Sequence, residues 1–261
     1  MHVAGLHLDP TLDPTRGSRI SAIAQIVDAR LHRCEVVEDD DEILSTLPPP
    51  PALVVVDAPL AIPNTTGKRD AETLLAWCDI PAFPVSLRRV HALYGGMRGI
   101  VLGGRMAERG YEIAETLPDL VFRQILWERA RPAGSAPLDL RAYREAWLGI
   151  RAPAFRPGRR GLPRDVQVQD AVELLRDVLD LDAWAPDADR PQHVAAELDA
   201  IACAYSGWRH ATGMASVEVG TPERGRLLIP ADANLAARLA VNAERLRAEG
   251  TIGIPVPTGR W

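Results

Sequence analysis

Hydrophobic residues along the chain alternate between continuous apolar runs, which predict strands, and helical spacing, which predicts helices. The clearest strand covers residues 52–57, ALVVVD, because a continuous apolar run is typical of a central strand covered on both faces. Shorter runs predict strands over 3–8 and 111–115. The segment 19–37 fits either a helix or two strands, and its β-branched residues favour a hairpin. A second hairpin is predicted over 215–230.

Helical patterns separate the predicted strands. They cover residues 68–78, 119–130, 139–148, 166–180, 192–209 and 232–249, and a loop with a further helix is expected over 86–110. The acidic run from Glu38 to Glu42 suits the start of a helix in the segment that follows it. No low-complexity linker divides the chain. We therefore expect a single α/β domain over residues 1–261, with a helical insertion at about 119–165 and an extra C-terminal helix at about 232–249.

The composition is that of an ordinary globular protein. The 261 residues are enough to bury a core without a disulfide or a metal. No apolar run approaches the ~18 residues of a membrane span, and the N-terminus lacks the pattern of a secretory signal. We therefore expect a cytoplasmic protein without a membrane partner, whose three widely spaced cysteines are buried thiols. The net charge of −5 argues against a general nucleic-acid coat protein and allows a local basic site.

Four carboxylates lie at the ends or on the faces of predicted core elements. Asp9 follows the first strand, Asp57 ends the clearest strand, Glu115 ends a later strand, and Asp199 lies in a helix. A strand that runs into an acidic residue places a carboxylate at the carboxyl edge of a sheet, where α/β proteins bind ligands. Carboxylates that converge without a cysteine or histidine ligand set predict a hard cation, Mg²⁺ or Mn²⁺. Such a cation supports cleavage of phosphodiester bonds.

The helix that contains Asp199 carries small residues on the same face. They are Ala195, Ala196, Ala202, Cys203 and Ser206. A face of small side chains lets a helix lie close to a sheet, which would bury the carboxylate. Because a buried carboxylate is costly unless it is paired, two interpretations of Asp199 stay open. It is either a partnered core residue or a ligand of a cation shared with other carboxylates.

The stretch VVVDAPLAIP, followed by Gly67, Arg69 and Glu72 in the pattern G-x-R-x-x-E, resembles the domain of unknown function 429 family. RGYEIAETLP, ELDAIACAYSGW and EVGTPERGRLLIP are similar to later segments of that family in the same order, so the resemblance covers most of residues 3–230. The family is a predicted nuclease family. The resemblance implies an RNase H-like mixed sheet flanked by helices, with a metal site formed by Asp57, Glu115 and Asp199.

One departure from the family pattern concerns the first strand. The family has an acidic residue where this chain has His7, and Asp9 follows two residues later, on the same side of an extended strand. Either residue is a candidate to complete the metal site. We expect a metal-dependent nuclease, and the alternative is a catalytically degenerate protein of the same fold that binds nucleic acid or acts as a scaffold. A third interpretation is a phosphatase, because LHLDPT is similar to a phosphatase loop. That loop also needs an acidic residue where this chain has His7.

Basic residues near these carboxylates are candidates for binding a phosphate backbone. The segment 151–164 contains five arginines and no acidic residue, which fits either a solvated surface loop or a phosphate contact. Within it we single out Arg159 and Arg160 as substrate-binding candidates. Lys68 and Arg69, just past the turn after Asp57, are two more. The sequence lacks the motifs of a P-loop, a dinucleotide site, a zinc protease and a serine hydrolase.

Overall fold

The computed structural model describes residues 2–11, 20–132, 135, 138–156 and 164–260. In these residues the strands are β1 (His2–His7), β2 (Ser21–Val27), β3 (Arg30–Val37), β4 (Ala52–Val56), β5 (Glu112–Glu115), β6 (Ser216–Thr221), β7 (Gly225–Pro230) and β8 (Thr258–Arg260). They form one mixed sheet in the order β3-β2-β1-β4-β5-β7-β6-β8. Strands β1, β4, β5 and β7 run parallel, and the remaining pairs are antiparallel.

Helices cover both faces of this sheet. They are α1 (Asp40–Thr46), α2 (Asp70–Trp77), α3 (Leu87–Tyr94), α4 (Arg98–Glu108), α5 (Pro118–Ala130), α6 (Leu140–Gly149), α7 (Arg164–Arg176), α8 (Pro191–Ala211) and α9 (Ala233–Ala248). A mixed α/β architecture is therefore confirmed. Across the described ranges, no helix has both the length and the apolar character that a bilayer crossing needs.

Both predicted hairpins are confirmed, as β2–β3 and β6–β7. The first one turns through Asp28 and Ala29, whose positive φ angles of 49° and 59° suit the tight two-residue turn of a hairpin. Strand β8 is not predicted by the sequence, because its three residues have no apolar run and are defined only by pairing with β6. Cys78 and Cys203 are buried as expected, but Cys34 is only half-buried.

The apolar run of β4 is explained by packing on both faces of the sheet. Val54 and Val56 join a cluster that contains Leu102 of α4, whereas Leu53 and Val55 pack with Cys203 of α8. Side chains alternate between the two faces of a strand, so a strand covered on both sides must be apolar at every position. This burial fixes β4 at the centre of the sheet and places the residue that follows it at the carboxyl edge.

Helix α8 crosses β1 at very short range because Gly5 has no side chain. A Cβ atom at Gly5 would lie 2.1 Å from the backbone oxygen of Ala200 and 2.1 Å from the backbone nitrogen of Ala204. Further along the helix, Gly207 lies against Val3. The helix therefore runs antiparallel to β1, and Asp199 is brought level with the end of that strand.

Replacing Gly5 tests this close approach. We expect Gly5→Ala to lower the free energy of unfolding by about 1–3 kcal/mol. The added methyl group clashes with backbone atoms of α8, so the whole helix would have to shift. The control is Gly104→Ala in α4, where no atom lies within 4 Å of the added Cβ. It should raise stability by about 0.5–1 kcal/mol. Urea unfolding of both variants measures the difference, and equal stabilities would contradict the packing described.

Candidate functional site

His7, Asp57 and Asp199 meet at the carboxyl edge of the sheet. His7 is the last residue of β1, Asp57 directly follows the neighbouring parallel strand β4, and Asp199 lies on α8. The Nδ1 atom of His7 is 2.5 Å from Oδ2 of Asp57 and 3.8 Å from Oδ2 of Asp199. One ligand atom from each of the three residues lies within 4.8 Å of the others. We call these three residues the edge cluster.

The backbone of β1 holds the Asp57 carboxylate in place. The backbone amide of Leu8 donates a hydrogen bond of 2.9 Å to Oδ1 of Asp57. The backbone amide of Asp57 donates to the carbonyl oxygen of Leu6 at 3.2 Å. The remaining oxygen, Oδ2, faces His7. Both oxygens of this carboxylate therefore have a defined orientation that is set by the pairing of two central strands.

His7 carries a positive charge at neutral pH in this environment. Burial lowers the pKa of His7, but the charge and hydrogen bond of Asp57, together with the charge of Asp199, outweigh burial and raise it to about 9. Arg156 opposes this rise through its own positive charge. The edge cluster thus contains an imidazolium between two carboxylates.

Arg156 is the second cation at this edge. Its Nε donates to Oδ2 of Asp199 at 2.7 Å, its terminal NH2 group donates to the other oxygen, and its NH1 group donates to Asp119. The side chain of Asp199 is 2% exposed, and burial raises its pKa despite the opposing charges of Arg156 and His7. Asp199 therefore lies in the core with a cationic partner, and it also belongs to the group of residues that could share a cation.

Sequence reasoning did not single out Arg156 or Asp119. The available signal was the run of arginines in 151–164, combined with the need of a buried Asp199 for a cationic partner. The structure assigns one arginine of that run to a carboxylate of the protein itself. Arg159 and Arg160, the residues we named as phosphate contacts, lie outside the described residues.

Glu115 and Arg69 bind each other, and neither belongs to the edge cluster. Both oxygens of Glu115 accept from Arg69, at 2.8 and 2.6 Å, and Oε1 also accepts from the amide of Leu60. The remaining N–H groups of Arg69 face Glu72 and the carbonyl oxygen of Ala61 at 2.6–2.7 Å. Each of its five N–H groups therefore has an acceptor, which leaves none for a phosphate. The G-x-R-x-x-E motif builds this buried ionic group.

Asp9 and Lys68 also lie apart from the edge cluster. Oδ1 of Asp9 accepts from the amide of Thr11 at 2.8 Å, and its backbone oxygen accepts from Arg98. The strand has ended at His7, so the alternation that would place Asp9 beside His7 no longer applies. Lys68 is exposed on the surface. The structure thus brings together Asp57, Asp199 and His7 from the predicted set.

Two connected clefts open onto the edge cluster. One has a volume of about 260 Å³ and is lined by His7, Asp57 and Glu115, among others. The other has a volume of about 670 Å³ and is lined by Asp57 and Arg156. Phe83 and Tyr94 line both clefts. His7 and Asp57 therefore line a concave surface that solvent and a ligand can reach, whereas Asp199 is buried.

These features define a class of mixed α/β protein with a His–Asp–Asp cluster in a cleft at the carboxyl edge of its parallel strands. The chain belongs to the family described as "Protein of unknown function (DUF429)", whose model matches residues 12–224. The match includes Asp57, Arg156 and Asp199, whereas His7 and helix α9 lie outside it. No curated protein and no solved structure matches the chain.

The ionic group around Arg69 predicts a large stability effect. We expect Arg69→Met to lower the free energy of unfolding by about 3–5 kcal/mol, because it leaves Glu72 and Glu115 buried without a cation. Arg69→Lys should lower the free energy of unfolding by less, since the positive charge remains and only the forked geometry of the guanidinium group is lost. The exposed neighbour provides the control, and Lys68→Ala should change stability by no more than about 0.5 kcal/mol. A small effect of Arg69→Met in urea unfolding would contradict a structural role.

The charge of His7 predicts a pH-dependent contribution to stability. Its pKa is about 9 in the folded protein and 6.5 in an unperturbed histidine, so folding favours the protonated form. The stabilisation is complete below pH 6.5, declines between pH 6.5 and 9, and is lost at higher pH. Urea unfolding of the wild type and of His7→Gln at about pH 6, 8 and 10 measures this. The difference between the two proteins should shrink as pH rises, and a constant difference would show that His7 is not protonated.

Proposed function

We propose that this protein is a metal-dependent nuclease with an RNase H-like fold. The observation that carries the proposal is the convergence of His7, Asp57 and Asp199 at a cleft that is lined by His7 and Asp57. Carboxylates from a central strand and from a packed helix are the arrangement that the family resemblance leads us to expect around a catalytic cation. The cleft gives a phosphodiester access to these groups.

The strand order supports this fold. Strands β1, β2 and β3 form an antiparallel meander, and β4 and β5 continue on the other side of β1 in parallel with it. Helix α8 packs across β1, β2 and β4 and carries one of the acidic residues. A mixed sheet flanked by helices is what the resemblance implies. Strands β7, β6 and β8 extend the sheet beyond this unit.

The edge cluster fits a single divalent cation that accepts nitrogen as well as oxygen. Its donors are one imidazole nitrogen and oxygens of two carboxylates, within 4.8 Å of one another. Mg²⁺ favours sites with oxygen ligands alone, whereas an imidazole suits the transition metals. Of the two expected ions, Mn²⁺ therefore fits the donor set better than Mg²⁺. When bound, such an ion would supply activation of water and neutralisation of phosphate charge.

The side chains of the cluster must change partners to hold an ion. His7 must release the proton that it shares with Oδ2 of Asp57, so binding should become stronger as pH rises towards 9. Arg156 must leave at least one oxygen of Asp199. Asp57 keeps its position throughout, because the amide of Leu8 holds the oxygen that does not face the cluster.

The same contacts favour a second candidate function. At neutral pH the charges of Asp57 and Asp199 are already balanced by His7 and Arg156, so the cluster needs no ion to be stable. A protein of this kind would use the cleft for binding and would not cleave its ligand. We therefore keep a catalytically degenerate nucleic-acid-binding or scaffold protein as the alternative.

Calorimetric titration of Mn²⁺ into the protein at about pH 8 separates the two functions. We expect binding by the wild type, loss of binding in Asp57→Asn, and a fall in Mn²⁺-dependent cleavage of at least about 100-fold in that variant, because a catalytic ion contributes several kcal/mol. Asp9→Asn is the matched control, since Asp9 lies outside the cluster. Absence of Mn²⁺ binding, together with oligonucleotide binding that a chelator does not change, would favour the degenerate protein. Cleavage that persists in Asp57→Asn would contradict the nuclease assignment.

A further inference from the structure

An exposed aromatic ring stands at the mouth of the clefts. Phe83 is 43% exposed, although most aromatic side chains of this protein are buried, and it lines both clefts together with Asp57. The guanidinium group of Arg89 lies 4.4 Å from the centre of its ring. The ring is therefore partly covered by a cation and still presents a large apolar surface to solvent.

The segment that carries Phe83 is held in place by the protein. Pro81 and Pro84 flank the ring in sequence and restrict its backbone. The side-chain amide of Asn64 donates to the carbonyl oxygen of Val85 at 3.0 Å, and Ser86 caps the start of α3. Because this segment is already ordered, binding a ligand on the ring costs little conformational entropy.

Helix α3, which follows the ring in sequence, carries exposed positive charge without an acidic partner in the described part of the chain. Residues 80–107 contain no acidic residue. Arg98 and Arg105 of this segment bind Asp40 and Asp41. In contrast, Arg88 and Arg89 are exposed on α3 and form no ion pair with a described residue. Arg89 thus offers a guanidinium group at the ring, and Arg88 adds a second exposed one on the same helix; we call Phe83, Arg88 and Arg89 the rim.

We propose that this rim binds single-stranded nucleic acid, with a base stacked on Phe83 and the backbone phosphates on Arg88 and Arg89. An aromatic ring beside arginines recognises unpaired bases of any sequence, because every base has a stacking face. In a duplex the bases are stacked on one another and do not reach such a ring. The cleft leads from Phe83 to Asp57, so the strand would enter the edge cluster. The inference rests on the proposed function, which makes nucleic acid the ligand, and it adds that the ligand is single-stranded.

The protein contains a matched pair elsewhere that serves as a control. Trp77 is 44% exposed, and the guanidinium group of Arg245 lies 4.7 Å from the centre of its ring. Trp77 lines a different groove, of about 550 Å³, together with Tyr143 and Val241. The exposure of the ring and the cation–π contact are of the same kind as at Phe83, but Trp77 lies away from the edge cluster and its arginine is paired with Glu249.

Fluorescence anisotropy with labelled oligothymidylate, in the presence of a chelator, tests the proposal. We expect the wild type to bind the single strand more tightly than a duplex of equal length. Phe83→Leu should weaken binding by about 5-fold to 150-fold, whereas Phe83→Trp should retain it. Trp77→Leu should bind like the wild type. Arg88→Gln and Arg89→Gln should each flatten the dependence of log affinity on log salt by about 0.7.

Equal affinity of Phe83→Leu and the wild type would overturn the proposal, as would a preference for duplex or no binding to either form. An equal loss in Trp77→Leu would also overturn it, because the effect would not be specific to the cleft. The chelator keeps this measurement independent of the edge cluster. If Mn²⁺ does not bind but Phe83→Leu still weakens binding of the oligothymidylate, the nuclease assignment fails and the stacking site at Phe83 is retained.

Discussion

The arrangement of this site depends on one constraint, which is that a carboxylate buried at the sheet edge must have a cationic partner. Asp199 is carried into the core because α8 lies directly on Gly5, where no side chain separates helix from strand. Its charge would be very costly there without compensation. Arg156 and His7 provide that compensation, and each also contacts a second carboxylate. The packing of a helix on a strand thus determines the composition of the edge cluster.

The same constraint explains the second buried ionic group. Glu115 ends β5 just as Asp57 follows β4, and both carboxylates face the cleft. Arg69 occupies both oxygens of Glu115 and caps α2 together with Glu72, so that a helix start, a loop and a strand end are joined by one side chain. Two neighbouring carboxylates at one sheet edge therefore have different roles. Glu115 accepts hydrogen bonds from Arg69 at both oxygens, whereas Asp57 contacts His7 and the amide of Leu8.

Local patterns in the sequence were enough to predict strands β1 to β7, both hairpins and the placement of Asp57 after a central strand. These features follow from burial and turn chemistry within short segments. The partners of the carboxylates could not be predicted, because Arg156 lies 43 residues from Asp199 and Arg69 lies 46 residues from Glu115. A carboxylate at the end of a strand looks the same in sequence whether it will meet an ion or an arginine. Strand β8 was missed for a related reason, since only its neighbour defines it.

The distribution of charge around the cleft connects these observations to the proposed ligand. Around the cleft, each of these acidic groups has a cationic partner in the protein, but three cations are shared among five carboxylates. At the rim, Arg88 and Arg89 have no acidic neighbour among residues 80–107. The protein as a whole carries a net charge of −5, so attraction of a polyanion must be local. The cationic partners reduce the repulsion between these carboxylates and a phosphate, and the exposed ring beside Arg89 is suited to a flexible single strand, whereas a continuous basic surface would suit a rigid duplex.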